Sequence, residues 1–97
     1  MTEILFHPDV ELEIRTAYDW YQDKAHGLGD DFISELESSF QAISELPTTW
    51  PKFKKGFRRY LLSRFPFAVI YKQSKSSLYV VAIMHQSQRP AYWVKRV

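Results

Sequence analysis

Apolar residues recur with a helical period before Leu46-Pro47 and with an extended-chain period after it, so this chain packs helices against strands. Val10, Ile14, Ala17 and Tyr21 follow at spacings of four, three and four, which is one face of an α-helix. His7-Pro8 marks its start, because proline suits the first helical position, where its missing N–H would be unpaired anyway. Asp9, Glu11 and Glu13 then lie where the helix dipole favours negative charge. Gly27-Leu28-Gly29 is the stop signal. A second helix is predicted from about Asp30, with Ile33, Leu36, Phe40 and Ile43 on one stripe and Glu35, Glu37 and Gln41 off it, closing at Leu46-Pro47. So short a turn makes the two helices antiparallel neighbours. Ahead of them, Glu3 to Phe6 reads as a short edge strand.

Beyond a loop from Thr48 to Gly56, β-branched and aromatic residues take over. Strands are expected near Phe57 to Ser63, Phe67 to Gln73 and Leu78 to His85, joined by the corner Arg64-Phe65-Pro66 and the polar turn Ser74 to Ser77. Connections this short require antiparallel pairing. Phe67 to Tyr71 is apolar throughout, as a strand buried on both faces should be. The tail from Arg89 to Val97 reads as a short helical turn. The expected fold is α+β: an N-terminal strand and a helical hairpin packed on a C-terminal antiparallel sheet, in a single domain over residues 1–97.

Charge divides at the same proline. All eleven carboxylates lie before it, against Arg15 and Lys24 alone; after it come eleven Lys and Arg and no carboxylate. A basic half of this kind points to a nucleic acid or an acidic protein as partner, although helices favour Glu and strands tolerate Lys and Arg on their own account. The absence of cysteine excludes disulfides and thiolate metal sites and suits a reducing cytosol. Neither Phe67 to Tyr71 nor Tyr79 to Met84 is long enough to span a bilayer, and the N-terminus lacks the pattern of a signal peptide, so a cytoplasmic protein with no membrane partner is expected. A metal-dependent nuclease is disfavoured because the basic half has no carboxylates to converge on Mg²⁺. Asp19/Asp23 and Asp30/Asp31 read as solvated helix or first-turn acids, and no metal or other cofactor is expected.

Several local patterns carry a resemblance. They are Trp20-Tyr21, Gly27-Leu28-Gly29 with Phe32, Leu46-Pro47, Arg58, the run Arg64-Phe65-Pro66-Phe67-Ala68-Val69-Ile70-Tyr71, and His85-Gln86-Ser87-Gln88-Arg89-Pro90 with Tyr92-Trp93. In this order and spacing they resemble the RelE/ParE toxin superfamily, including its plasmid-stabilisation toxins, over nearly the whole chain. The resemblance implies the toxin of a type II toxin-antitoxin system that inhibits growth, neutralised by a cognate acidic antitoxin whose tail wraps it. It also implies one of two targets. ParE-like members inhibit DNA gyrase without known catalysis, and RelE-like members cut ribosome-bound mRNA without metal. The FPF and HxxxRP segments look more like the ParE branch. A relative that only binds its antitoxin is the third possibility.

The basic half supplies an inventory for either target. Metal-free RNA cleavage needs groups that move protons and stabilise a phosphorane-like transition state. Arg58, His85, Arg89 and Tyr92 are the candidate catalytic residues, with Lys52, Lys54, Lys55, Arg59 and Arg64 as candidate contacts to nucleic acid or target. The resemblance to RelE-like enzymes implies Lys52, Lys54, Arg58, Arg89 and Tyr92 as counterparts of their loop lysines, strand arginines and C-terminal tyrosine. Arg58, His85 and Arg89 are expected to meet at one side of the sheet. Each has a plainer alternative: His85 as a strand-end histidine satisfied by backbone, Tyr92 and Trp93 as a cover over the end of the core. The aromatics among Trp50-Pro51-Lys52-Phe53-Lys54-Lys55 either stack on bases or anchor the loop. The antitoxin is expected to cover the half from Thr48 to Val97 with an acidic, partly apolar segment.

Overall fold

The computed structural model describes residues 3–97. A strand β1 (Glu3–Phe6) leads into helices α1 (Asp9–Lys24) and α2 (Leu28–Glu45), then strands β2 (Arg58–Leu61), β3 (Phe67–Ser74) and β4 (Ser77–His85), and a 3-10 turn at Tyr92–Arg96. The sheet order is β1-β4-β3-β2. β2, β3 and β4 form the expected antiparallel meander, and β1 takes the expected edge position. However, β1 runs parallel to β4, with Glu3 opposite Ser77 and Phe6 opposite Val80, so the sheet is mixed and not antiparallel throughout. Connectivity permits this: a parallel pair needs a long crossover, and the helical hairpin between β1 and the meander supplies it. None of the described helices is long and apolar enough to cross a membrane.

α1 begins one residue after Pro8, whose backbone is already helical at φ −54° and ψ −31°. α2 begins at Leu28, two residues before the glycine pattern suggests. Gly27 makes the turn, at φ +88°. Gly29 is inside the first helical turn for a different reason: a Cβ there would stand 2.7 Å from the Tyr18 carbonyl oxygen. Its missing side chain lets the two helices touch, and its N–H donates to Gln22 Oε1 at 2.8 Å.

The core has two faces. Against the helices, Val10, Ala17, Tyr21, Phe32, Leu36 and Ile43 pack on Val69, Tyr71, Leu78, Val80 and Ile83. Ile33 and Phe40, expected on the buried stripe of α2, stand half-buried at its edge, while Phe32 and Ser39 take the centre. On the opposite face, which we call the outer face, Phe57, Ala68, Ile70, Met84 and the fully buried Trp93 form a second cluster. Phe67 to Tyr71 is therefore buried on both sides, as its composition requires. Trp93 thus closes the end of the core. The β3–β4 register shifts between Ile70 and Tyr71: Ile70 lies opposite Ala82 and Tyr71 opposite Val80, so Val81 is the extra residue of a bulge. Val81 and Ala82 both join the outer cluster as a result.

Candidate functional site

The loop cations stand on a small hairpin. Lys52 bridges to Arg58, the Phe53 N–H donates to the Phe57 carbonyl at 2.7 Å, and Lys54, Lys55 and Gly56 form the exposed tip. Lys55 and Gly56 turn it with φ of 56° and 78°. The loop's aromatic rings face inward. Trp50 packs on Tyr60 with centroids 4.7 Å apart, and Phe53 approaches Trp93 at 6.3 Å. They anchor the loop, leaving the cations outside. Arg59 covers the Phe53 ring at 4.8 Å and Lys72 the Phe57 ring at 5.7 Å.

The expected meeting of Arg58, His85 and Arg89 is not found. Arg58 lies opposite Tyr71 and His85 opposite Phe67, four residues away on β3, which separates them by roughly 13 Å along the strands as well as by two strands across the sheet. Arg58 and His85 each have a structural partner instead. Arg58 Nη1 donates to the Trp50 carbonyl at 2.8 Å and Tyr71 Oη to that of Pro47 at 2.7 Å, so the two side chains hold the loop after α2. His85 Nδ1 accepts from the Ser87 N–H at 3.0 Å, and its ring meets Phe67 edge-on at 4.9 Å. Arg89 is exposed beside His7, Asp9 and Tyr92, in a different concavity from His85. Arg64 pairs with Asp31 at 3.3 Å at the β2–β3 corner.

Tyr92 is held in a site that the hydrophobic pattern did not reveal. β1 pairs with β4 only as far as Val80. Beyond it, side chains meet the backbone edge: Arg96 Nη1 donates to the Val81 carbonyl at 3.0 Å, the Ile83 N–H donates to Glu13 Oε1 at 2.9 Å, and the His85 N–H to Gln88 Oε1 at 2.7 Å. Glu13 Oε2 also accepts from Tyr92 Oη at 2.5 Å and Arg96 Nη2 at 3.0 Å. Burial, and then the bond to Glu13 and its charge, push the Tyr92 phenol well above its ordinary value. The phenol therefore stays protonated, with its proton committed to Glu13. Glu13 and Arg96 were both missed as site residues. The only sequence signal for Glu13 is its place next to Ile14 on the flank of the buried face. Glu35 was also read as lying off the stripe, yet its carboxylate accepts the N–H groups of Ser63 and Arg64 and so fixes the β2–β3 corner to α2.

Beside Glu13 runs an open apolar groove. Leu12, Thr16 and Trp20 of α1 form one wall, and Phe67, Ile83 and His85 the other. Leu12 is 67% and Trp20 56% exposed, a large apolar surface for one helix of a small chain. Two surfaces are thus available for partners: this groove on the helix side of the sheet, and the cations of the outer face.

Comparison with known proteins accords with this architecture. No curated protein sequence matches the chain. Among solved structures, one described as the chromosomal ParDE TA system from P. aeruginosa is similar, with a TM-score of 0.76 at 13% identity, over 88% of this chain and 96% of that one. At that identity the likeness speaks for the fold. The family described as the ParE toxin of type II toxin-antitoxin system, parDE, matches residues 4–90. That span contains both helices, β2 to β4, all of β1 but Glu3, and the groove, and the chain belongs to the ParE toxin family.

Proposed function

We propose that this chain is a cytoplasmic toxin that arrests growth by binding DNA gyrase, and that a cognate antitoxin neutralises it by laying a segment into the groove between α1 and β4. The observation that carries the choice of a binder over an RNA-cleaving enzyme is the dispersal of Arg58, His85 and Tyr92. The first two stand on β2 and β4, with β3 between them and four residues of β3 separating their partners, and the third is bound to Glu13. Proton transfer and phosphorane stabilisation need such groups around one phosphate. Inhibition by binding needs only a surface. The family match supports the toxin reading and its ParE branch.

The groove suits apolar anchors of a partner segment against Leu12 and Trp20, with its acidic residues directed past Gln88 towards Arg89. The cations near Lys55 and Lys72 lie on the other face of the sheet, so a segment in the groove leaves them open. The test combines three assays of the induced or purified chain: growth, DNA gyrase supercoiling and primer extension on cellular mRNA. Growth arrest with loss of supercoiling and intact transcripts is expected. Intact supercoiling accompanied by new mRNA ends would refute the gyrase reading. Leu12→Asp is expected to abolish rescue by the co-expressed antitoxin while leaving the melting temperature unchanged, since Leu12 is exposed.

A further inference from the structure

We propose that the outer face of the sheet binds the phosphate backbone of duplex DNA through Lys54, Lys55, Arg59 and Lys72. Arg59 lies opposite Ile70, and Lys72 follows two residues later on the same face of β3, so the two are diagonal neighbours roughly 7–8 Å apart at the backbone. Lys55 and Lys72 line one concavity over Phe57 and Tyr79, and no Asp or Glu side chain lines it. Glu3 falls on this face only at the far edge strand, opposite Ser77. Arg64 and Arg96 are paired with carboxylates; among the described residues these four cations are not. The helical hairpin packs on the other face of the sheet, and of its carboxylates Glu13 and Asp9 meet Arg96 at the β4 edge, so this polarity turns the basic face towards a polyanion.

Phosphate fits this face better than an acidic peptide does. An extended peptide needs a free strand edge or an apolar slot. Beside these cations the β2 edge is already closed, because the Arg59 N–H donates to the Pro51 carbonyl at 3.1 Å and Lys52 bridges to Arg58. The open apolar slot is the groove on the opposite face. A duplex fits better than a single strand for a related reason. Single-strand binding draws on ring planes for base stacking, and here Phe53 and Phe57 lie beneath Arg59 and Lys72 and pack against Trp93. What remains is charge beside one half-buried ring, Tyr79, which lies 6.4 Å from Phe57, and this suits sequence-independent contact with duplex phosphates.

This inference goes beyond the toxin reading and does not require gyrase as the target. The test is fluorescence anisotropy of a short labelled duplex against the whole chain over a salt series. If four phosphates are neutralised, the slope of log affinity against log salt is expected near −3.6, about a 100-fold loss between 50 and 200 mM. Lys55→Gln with Lys72→Gln should flatten the slope by about 2, and Arg15→Gln on α1 should leave it unchanged. Matching circular dichroism of the variants shows that the fold is kept, as exposed or partly exposed side chains allow. No binding at low salt, or an unaltered slope in the double variant, would overturn the proposal. So would tighter binding of the corresponding single strand, or displacement by polyglutamate at equal charge. Growth arrest that persists in a double variant lacking DNA affinity would leave the toxin reading intact and dissociate it from this surface.

Discussion

Replacing Glu13 by alanine removes the shared acceptor of three donors at once: the Ile83 N–H, the Tyr92 hydroxyl and the Arg96 guanidinium. The Glu13 and Arg96 side chains are only 16% and 14% exposed, so water replaces the lost bonds poorly. A buried ion pair that loses one partner costs about 3–5 kcal/mol. Partial exposure and the second contact of Arg96, with Asp9 at 3.7 Å, place Glu13→Ala near the lower end, at ~3 kcal/mol. In a domain of this size that lowers the melting temperature by roughly 12–24 °C. Glu13→Gln keeps one acceptor oxygen but loses the charge, and should cost about half as much. The assay is urea unfolding followed by tryptophan fluorescence, with Glu11→Ala as control. Among the described residues Glu11 is exposed and paired only with Arg15, so its loss should stay within about 0.5 kcal/mol. A double-mutant cycle of Glu13→Ala with Tyr92→Phe should return about 1 kcal/mol or more of coupling. A Glu13→Ala variant no less stable than Glu11→Ala, or a cycle with no coupling, would refute the view that Tyr92 is fixed by this carboxylate.

Gly29→Ala should destabilise the chain by about 1–3 kcal/mol in thermal melts, because its Cβ would lie 2.7 Å from the Tyr18 carbonyl oxygen and 2.8 Å from Gln22 Oε1. Alkaline titration should show Tyr71 and Tyr92 ionising late, since burial raises both above the ordinary 10.0 and, for Tyr92, the bond to Glu13 adds to it. A raised folded-state value means that this stability is complete below pH 10 and is lost as pH rises above it, where the unfolded chain releases those protons first. Tyrosinate absorbance and melting temperature should therefore change together above pH 10, and free titration of all the tyrosines in the folded chain would contradict the packing.

The helices, the meander and the doubly buried Phe67 to Tyr71 were legible in the sequence because each rests on a pattern read within a few neighbours. The period of apolar residues states which face of an element must leave water, and that face is a local property. The same reasoning placed Gly27 at a turn and Val10, Ala17 and Tyr21 in the core. It could not tell that Gly29 serves helix contact and not termination, because the obstacle is a carbonyl of the preceding helix. Nor could it give the direction of β1, since a four-residue strand has an apolar pattern but no inherent polarity towards its partner. The candidate site was least legible. Arg58 and His85 were expected to meet because both sit at strand ends, yet their distance depends on register, and β3 places one opposite Tyr71 and the other opposite Phe67. Glu13 and Tyr92 are 79 residues apart. Their bond follows from β1 ending at Phe6, opposite Val80, and leaving the rest of the β4 edge to side chains, a vacancy that exists only once the sheet has been assembled.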